Sequence, residues 1–412
     1  MPSSARGIGL GLVFACLFGT LALGYALKSP CASGDWADGR QYLRLCYSDI
    51  EPLLGTEQLT ASRLPYLDPC VQDAAGACDE YPVLTMWTMR AAAWVSGADV
   101  AKFFSVNVAI LAVAAFATTL CLYLMCGSRA LYFALAPTLL VYGFINWDLI
   151  PVALATAATL MYLRRRDIWS GALLGLGAAA KLYPALLVAP LVAGRFRARE
   201  PDRGIHVAWA AAAAWVAVNL PFVVAAPPGW WEFFRFNSQR PADWDSVWFI
   251  ACERFTGEFS CGHTRLLNVA SAVVFVGVVT AIWRSKARRD PGFARWTLGF
   301  PILVAFLLTN KVYSPQYVLW LLPWFALALP NLRLFAAFEA ADVAVFVTRF
   351  SWFGRLSGFG GFPIGAFELA VVIRAIVLIL CIASWVRSRA PTPVPAAPLS
   401  RDLPPIPVDA VA

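Results

Sequence analysis

The chain has 412 residues, of which 60% are hydrophobic and only 14% charged, and its mean hydropathy is +0.65. Its apolar residues come in repeated runs of about 15 to 25, the length that crosses roughly 30 Å of hydrocarbon, which excludes a soluble enzyme and a secreted disulfide scaffold. The net charge of +8 does not point to nucleic acid, because the basic residues cluster between apolar runs, at 164–166, 195–203, 284–289 and 387–389, as in the cytoplasmic loops of a membrane protein.

The first apolar run, 7–27, follows Arg6 and ends Tyr25-Ala26-Leu27-Lys28 with no small-residue cleavage site. It reads as a retained anchor with a cytoplasmic N-terminus. Residues 28–84 form a polar insertion with nine acids against four bases, an acidity that places it outside. Cys31, Cys46, Cys70 and Cys78 lie in this insertion, and Cys252 and Cys261 in a later external loop. An even number in each exposed segment fits disulfides in an oxidising compartment. Four cysteines allow three pairings, among which spacing does not choose; a zinc site is the weaker reading, since no C-x2-C spacing occurs.

Residues 83–100 mix Trp87, Arg90 and Trp94 with apolar residues and predict an amphipathic helix at the outer interface. Spans follow at about 103–125, 129–144 and 148–163. The segment 170–193 has basic flanks on both sides and is interrupted at Lys181-Leu182-Tyr183-Pro184. Pro184 cannot continue a helical hydrogen-bond ladder, so two short half-spans meeting near the outer face are expected. Further spans at about 205–224, 266–284, 294–309, 317–330, 334–349 and 366–386 complete the membrane domain, 1–388. The fold class is an all-α polytopic membrane protein of about 11–12 transmembrane segments, with a large first external region (28–100) and both termini cytoplasmic. The Pro-rich stretch 389–412 reads as a disordered cytoplasmic tail.

Polar groups near membrane depth are costly to bury and mark function. On this topology Asp49, Glu51, Glu80, Tyr81, Asn146, Asp148, Lys181, Tyr183, Lys311, Tyr313, Gln316 and Tyr317 converge on the outer face. Each has a plainer explanation. Asp49 has many acidic neighbours in its loop, Lys181 can snorkel to headgroups, and Lys311 and its tyrosines can anchor the interface. Trp230, Trp231, Trp244 and Trp248 read as an aromatic belt. Asp342 and Arg374 read as a structural ion pair between the last two helices. His206 and His263 have no partner implied by spacing.

The stretches Cys46-Tyr47-Ser48-Asp49-Ile50, Glu80-Tyr81-Pro82-Val83-Leu84-Thr85, Asn146-Trp147-Asp148, Gly175-Leu176-Gly177 leading to Lys181-Leu182-Tyr183-Pro184, and Ser314-Pro315-Gln316-Tyr317 resemble glycosyltransferase family 87. These are multi-span enzymes of the GT-C type, frequent in actinobacteria, and the likeness runs over about 8–388. Characterised relatives include α-mannosyltransferases that build lipomannan and phosphatidylinositol mannosides. The resemblance implies a polyprenyl-phosphate sugar as co-substrate and a glycolipid or glycan acceptor. It matches Asp49 to the acidic residue of the first external loop, the usual catalytic base, and Lys181 to a lysine-tyrosine-proline element. The acidic pair of the class takes the looser form Asp49-x-Glu51.

An external transferase has no nucleotide sugar available, so a lipid-carried donor is required. The departing phosphate gains negative charge, which fixed cations stabilise; Lys181 and Lys311 are the candidates. Asp49 would take the acceptor proton, and one base with no carboxylate nucleophile means inversion. Glu51, Glu80, Tyr81, Asn146, Asp148, Tyr183, Tyr313, Gln316 and Tyr317 are the expected substrate contacts. No cofactor is firmly implied; a divalent metal on Asp49 and Glu51 is a second option resting on their spacing alone. The expected partners are membrane lipids, the lipid-linked donor and the glycan acceptor. Mannose leads as the sugar, ahead of arabinofuranose or another hexose, at a plasma-membrane site facing outward. A multi-span transporter or flippase is the main alternative, and a non-catalytic scaffold the third.

Overall fold

A computed structural model describes residues 8–388, except 61, 71–77, 98 and 258–260. The expected tail, 389–412, lies outside the described residues. Helices dominate the described residues, and no strand occurs among them.

The chain enters through α1 (Leu10–Lys28), and the acidic insertion folds over its end with two short helices, α2 (Arg40–Leu43) and α3 (Ile50–Thr56). Next come α4 (Val83–Ser96) and α5 (Val100–Cys126), the latter capped by the Asp99 carboxylate accepting from Lys102 N–H. The next pass is broken into α6 (Leu131–Ala134) and α7 (Pro137–Tyr142), because Pro137 has no N–H to continue α6. Then α8 (Leu149–Leu163) and α9 (Asp167–Ala180) run antiparallel. A tight turn over Tyr183–Leu187 leads into α10 (Val188–Arg197), followed by α11 (Pro201–Ala225).

The long loop after α11 holds the exposed helix α12 (Pro227–Gln239) and α13 (Val247–Thr256). Beyond it lie α14 (Thr264–Arg289), α15 (Gly299–Thr309), a tight turn at Pro315–Trp320 with α16 (Leu322–Leu327), α17 (Leu332–Leu356) and α18 (Ile364–Arg387). Among the described residues five segments are long and apolar enough to cross a membrane alone: Leu10–Cys31, Val100–Ala134, Pro201–Ala225, Thr264–Arg289 and Ile364–Arg387. Leu149–Leu163 and Arg295–Thr309 are shorter apolar helices, and α17 is long enough but carries several charges. The spans expected at 129–144 and 317–330 are each split at prolines, Pro137 in the first and Pro323 near the start of α16 in the second.

Two departures from expectation bear on the site. Residues 83–96 do not merely lie on a surface: Val83, Met86, Met89 and Arg90 are buried, and Thr85 Oγ1 donates to the Ala180 carbonyl at 2.8 Å. The helix therefore props the end of α9, leaving Trp94 and Val95 exposed. The Asp342–Arg374 pair (3.4 Å) exists, but belongs to a larger buried network. Arg374 also donates to the Asp245 carbonyl at 2.7 Å, and Arg349 pairs with the Asp245 carboxylate. The long loop after α11 is thereby tied to α17 and α18.

Close packing sets the position of the broken hairpin. A β-carbon on Gly171 would collide with the Val207 carbonyl oxygen, and one on Gly175 with that of Ala211. Small residues four apart let α9 and α11 touch backbone to backbone. At the base of the same helices Asp167 accepts from Arg195 (2.7 Å) and Arg203 (2.6 Å). The hairpin is thus pinned at one end by charge and along its length by glycine.

Candidate active site

At the other end of these helices, the loops enclose a cavity of about 710 Å³. The first insertion contributes Asp49, which precedes α3. Its backbone N–H donates to the Ile145 carbonyl (2.9 Å), and Ser48 Oγ accepts from Ile50 N–H (3.1 Å). The disulfide Cys31–Cys46 ties this segment to the end of α1, while Cys70 pairs with Cys78 and Cys252 with Cys261.

The Asp49 carboxylate lines the cavity and is partly exposed. One oxygen accepts from Tyr47 Oη (2.9 Å) and the other from Asn146 Nδ2 (2.9 Å). Asn146 is set by its neighbours, since its Oδ1 accepts from Trp147 N–H (2.8 Å) and its Nδ2 reaches Tyr81 Oη (2.7 Å). Burial, reinforced by the nearby Asp49 charge, pushes the Tyr47 and Tyr81 phenols well above their ordinary range. Asp49 is therefore oriented by neutral donors, and no cation cancels its charge through a direct ion pair among the described residues.

Lys181 follows the last residue of α9 in extended backbone. Its Nζ bonds the fully buried Asp148 at 2.8 Å, and Asp148 in turn accepts from Trp320 Nε1 at 2.7 Å. Trp320 stacks between Tyr183 and Tyr317, both at 4.2 Å between ring centroids, and Lys181 Nζ sits 4.6 Å from the Tyr317 ring. This aromatic wall is the work of the broken hairpin and the Pro315–Trp320 turn together.

The third wall is the long loop after α11. Lys311 Nζ donates to the carbonyls of Ser238 (3.1 Å) and Arg240, and the Lys311 carbonyl accepts from Asp243 N–H at 2.8 Å. The Arg240 guanidinium also lines the cavity, 3.6 Å from Asp243. Burial, with repulsion from Arg240, lowers the Lys311 ammonium to about 8. Across the cavity, burial raises the Glu80 carboxyl to about 7 despite the attraction of Arg240.

Asp49, Glu80, Tyr81, Asn146, Lys181, Tyr183, Lys311, Gln316 and Tyr317 thus all line one space. Three expected contacts do not. Asp148 lies behind Lys181 and reaches the cavity only through it. Glu51 is buried beside α1, where burial raises its carboxyl to about 8. Tyr313 is covered by the Arg374 guanidinium, 3.8 Å from its ring, within the network under α13. Asp49 lines the cavity, whereas Glu51, two residues on in α3, is buried away from it, so they do not fit as a pair of metal ligands. Among the described residues the grouping closest to a metal site is Cys70, Cys78 and Asp79, and its two cysteines are bonded to each other.

Arg240, Tyr47 and Trp320 were not singled out from the sequence. Tyr47 sits inside the recognised Asp49 motif. Trp320 stands three residues past Tyr317, so the spacing of the turn offered a signal. Arg240 is a lone arginine after an aromatic segment, and only the fold of the loop brings it inward.

Comparison with solved structures shows similarity to ArnT from Cupriavidus metallidurans bound to undecaprenyl phosphate: 14% identity, 92% of this chain, 77% of that chain and a TM-score of 0.47. The apo state of the same protein is similar to the same degree, with 76% of that chain covered. The archaeal oligosaccharyltransferase AglB from Archaeoglobus fulgidus, in complex with an inhibitory peptide and a dolichol-phosphate, gives 13% identity, 92% and 56% coverage and a TM-score of 0.42. No curated protein matches the chain by sequence. Residues 81–315, more than half of the chain and including Tyr81, Asn146, Lys181, Arg240 and Lys311, match the family described as Glycosyltransferase family 87. By that match this membrane protein belongs to glycosyltransferase family 87.

Proposed function

We propose that the protein transfers a sugar, mannose in the first instance, from a polyprenyl-phosphate donor to a lipid or polysaccharide acceptor at the outer face of the plasma membrane. The observation that carries this reading is the single cavity in which Asp49 faces Lys181, Arg240 and Lys311 within a family 87 chain. The acceptor hydroxyl oxygen attacks the anomeric carbon and gives its proton to Asp49. The bond from that carbon to the phosphate oxygen breaks, and the polyprenyl phosphate leaves with the bonding electron pair. With one base and attack opposite the leaving group, configuration inverts, so a β-linked donor yields an α-linked product.

Three features support the roles. Tyr47 and Asn146 hold the Asp49 carboxylate in one orientation without neutralising it, as a proton acceptor requires. Arg240 and Lys311 are adjacent cations whose repulsion an incoming phosphate relieves, and charge developing there is stabilised by groups already in place. The Tyr183–Trp320–Tyr317 stack offers an apolar face beside Lys181. Leu182, Phe233 and Phe236 at the cavity edge suit the first isoprene units.

The test is transfer from radiolabelled polyprenyl-phosphate mannose in membranes, comparing wild type with Asp49→Asn at matched expression. Label should reach a glycolipid or glycan with wild type, and fall by roughly 10²- to 10⁴-fold in the variant, the usual worth of a general base. Equal transfer by both would reject Asp49 as the base. No transfer by either would reject mannose as the donor sugar.

A further inference from the structure

The end of the bundle opposite the active site carries a second cavity that sugar transfer does not use. It has a volume of about 590 Å³ and lies between α14 and α18. Ile282, Ile382 and Val386 give it apolar walls, and Arg288, Arg289 and Arg387 form its rim. All three arginines are exposed. The neighbouring acid, Asp290, is engaged by Lys286 at 3.6 Å, and no ion pair joins any of the three rim guanidiniums among the described residues. Lys286 is itself buried, and its Nζ donates to the carbonyls of Trp385 (3.4 Å) and Ser388. It staples α14 to the end of α18.

The depth of this cavity follows from helix geometry. Asn268, near the start of α14, lines the active-site cavity. Arg288 comes twenty residues later on the same helix, about 30 Å along its axis, which is the thickness of the hydrocarbon core. The rim therefore sits at the membrane face opposite the catalytic cavity. A general excess of basic residues at this end follows from topology, but it does not account for three arginines around an apolar hollow between two spans.

We infer that this groove binds an anionic phospholipid, with an acyl chain against Ile282, Ile382 and Val386 and its phosphate among Arg288, Arg289 and Arg387. The charge complementarity selects the headgroup: a zwitterionic lipid leaves the three cations unbalanced, whereas an anionic one neutralises them in part. Basic hollows between spans at the cytoplasmic face are suited to such headgroups. The apolar walls make the ligand a lipid rather than free phosphate.

The experiment uses the purified full-length protein in detergent, with cardiolipin and phosphatidylcholine added together and bound lipid counted by native mass spectrometry. Wild type should retain cardiolipin over phosphatidylcholine. The pair Arg288→Gln/Arg387→Gln should weaken that retention about tenfold or more, and Arg197→Gln/Arg199→Gln, which removes equal charge outside the groove, should not. A second variant, Ala383→Trp, fills the hollow and keeps every arginine; it too should lower retention. Equal losses from both arginine pairs, or full retention by Ala383→Trp, would overturn the proposal. Preserved sugar transfer in the variants would show that they are folded, independently of the lipid result.

Discussion

Separating Lys181 from Asp148 should be more damaging in one direction than in the other. The two groups lie 2.8 Å apart, with side-chain exposures of 16% for Lys181 and 0% for Asp148. At an effective dielectric of about 20, unit charges at that distance attract by about 6 kcal/mol, much of it offset by the desolvation of Asp148. Lys181→Met strands a carboxylate that cannot reach water and keeps only the Trp320 N–H; the cost should be about 4 kcal/mol. Asp148→Asn leaves a lysine that can turn toward the cavity and still offers Trp320 an acceptor, so about 2 kcal/mol is expected. The double variant Asp148→Asn/Lys181→Met removes both charges and should cost no more than the worse single one, a coupling of at least about 2 kcal/mol. Reversible unfolding in mixed micelles, followed by circular dichroism, measures all three. Additivity within about 0.5 kcal/mol, or a larger loss from Asp148→Asn than from Lys181→Met, would refute the reasoning.

Other perturbations address the cations and the frame. Arg240→Gln should lower kcat for transfer by about 10- to 100-fold with little change in stability, since its guanidinium faces the cavity and its one ion-pair partner among the described residues, Asp243, is 3.6 Å away; single-turnover rates would show this. Because Lys311 is lowered to about 8, its charge is present below that pH and lost above it, so wild-type transfer should decline as pH rises through about 8. Lys311→Arg, which stays charged, should hold its rate to about pH 9, and identical profiles would remove Lys311 from the phosphate site. Gly175→Leu should drive α9 off α11, because even a β-carbon there meets the Ala211 carbonyl. A loss of about 3 kcal/mol or more is expected, together with a loss of transfer through displacement of Lys181.

How far the site was legible depends on what kind of information each residue carries. Hydropathy and charge clusters marked the passes and their order, because each pass must be apolar whatever it packs against. The break at Lys181–Pro184 was legible for a similar reason, proline chemistry being local. Asp49, Asn146 and Lys181 could be placed at one end of the bundle by topology alone. Their partners could not. Nothing in the spacing says that Asp148 lies behind Lys181 rather than beside the substrate, or that Glu51, two residues from Asp49, turns away toward α1. Those outcomes depend on the rotation of each segment about its own axis, which packing decides. Arg240 was missed because its loop is shaped by distant residues, Lys311 holding its backbone and Arg349 and Arg374 anchoring Asp245.

The distribution of charge around the cavity bears on which class of function it serves. Lys181 is matched by Asp148, so that wall is close to neutral. Arg240 pairs with Asp243 and also attracts Glu80, while the Lys311 ammonium donates to backbone carbonyls and has no carboxylate partner among the described residues. Opposite them, Asp49 is held by two neutral donors and has no direct ion-pair partner among the described residues. Paired by a lysine, the same carboxylate would be a poor proton acceptor; surrounded only by apolar groups, it would not hold its orientation. A binding site for passage across the membrane has no need of a base and a cation cluster kept apart on facing walls. A displacement reaction does, because the proton leaves on one side of the anomeric carbon while the phosphate departs on the other. The supports of both walls are buried and mutually braced, from Ile145 and Tyr81 behind Asp49 to Asp245 and Arg374 behind the loop. That favours a site whose groups stay fixed while the substrate reacts, which is what electrostatic preorganisation requires.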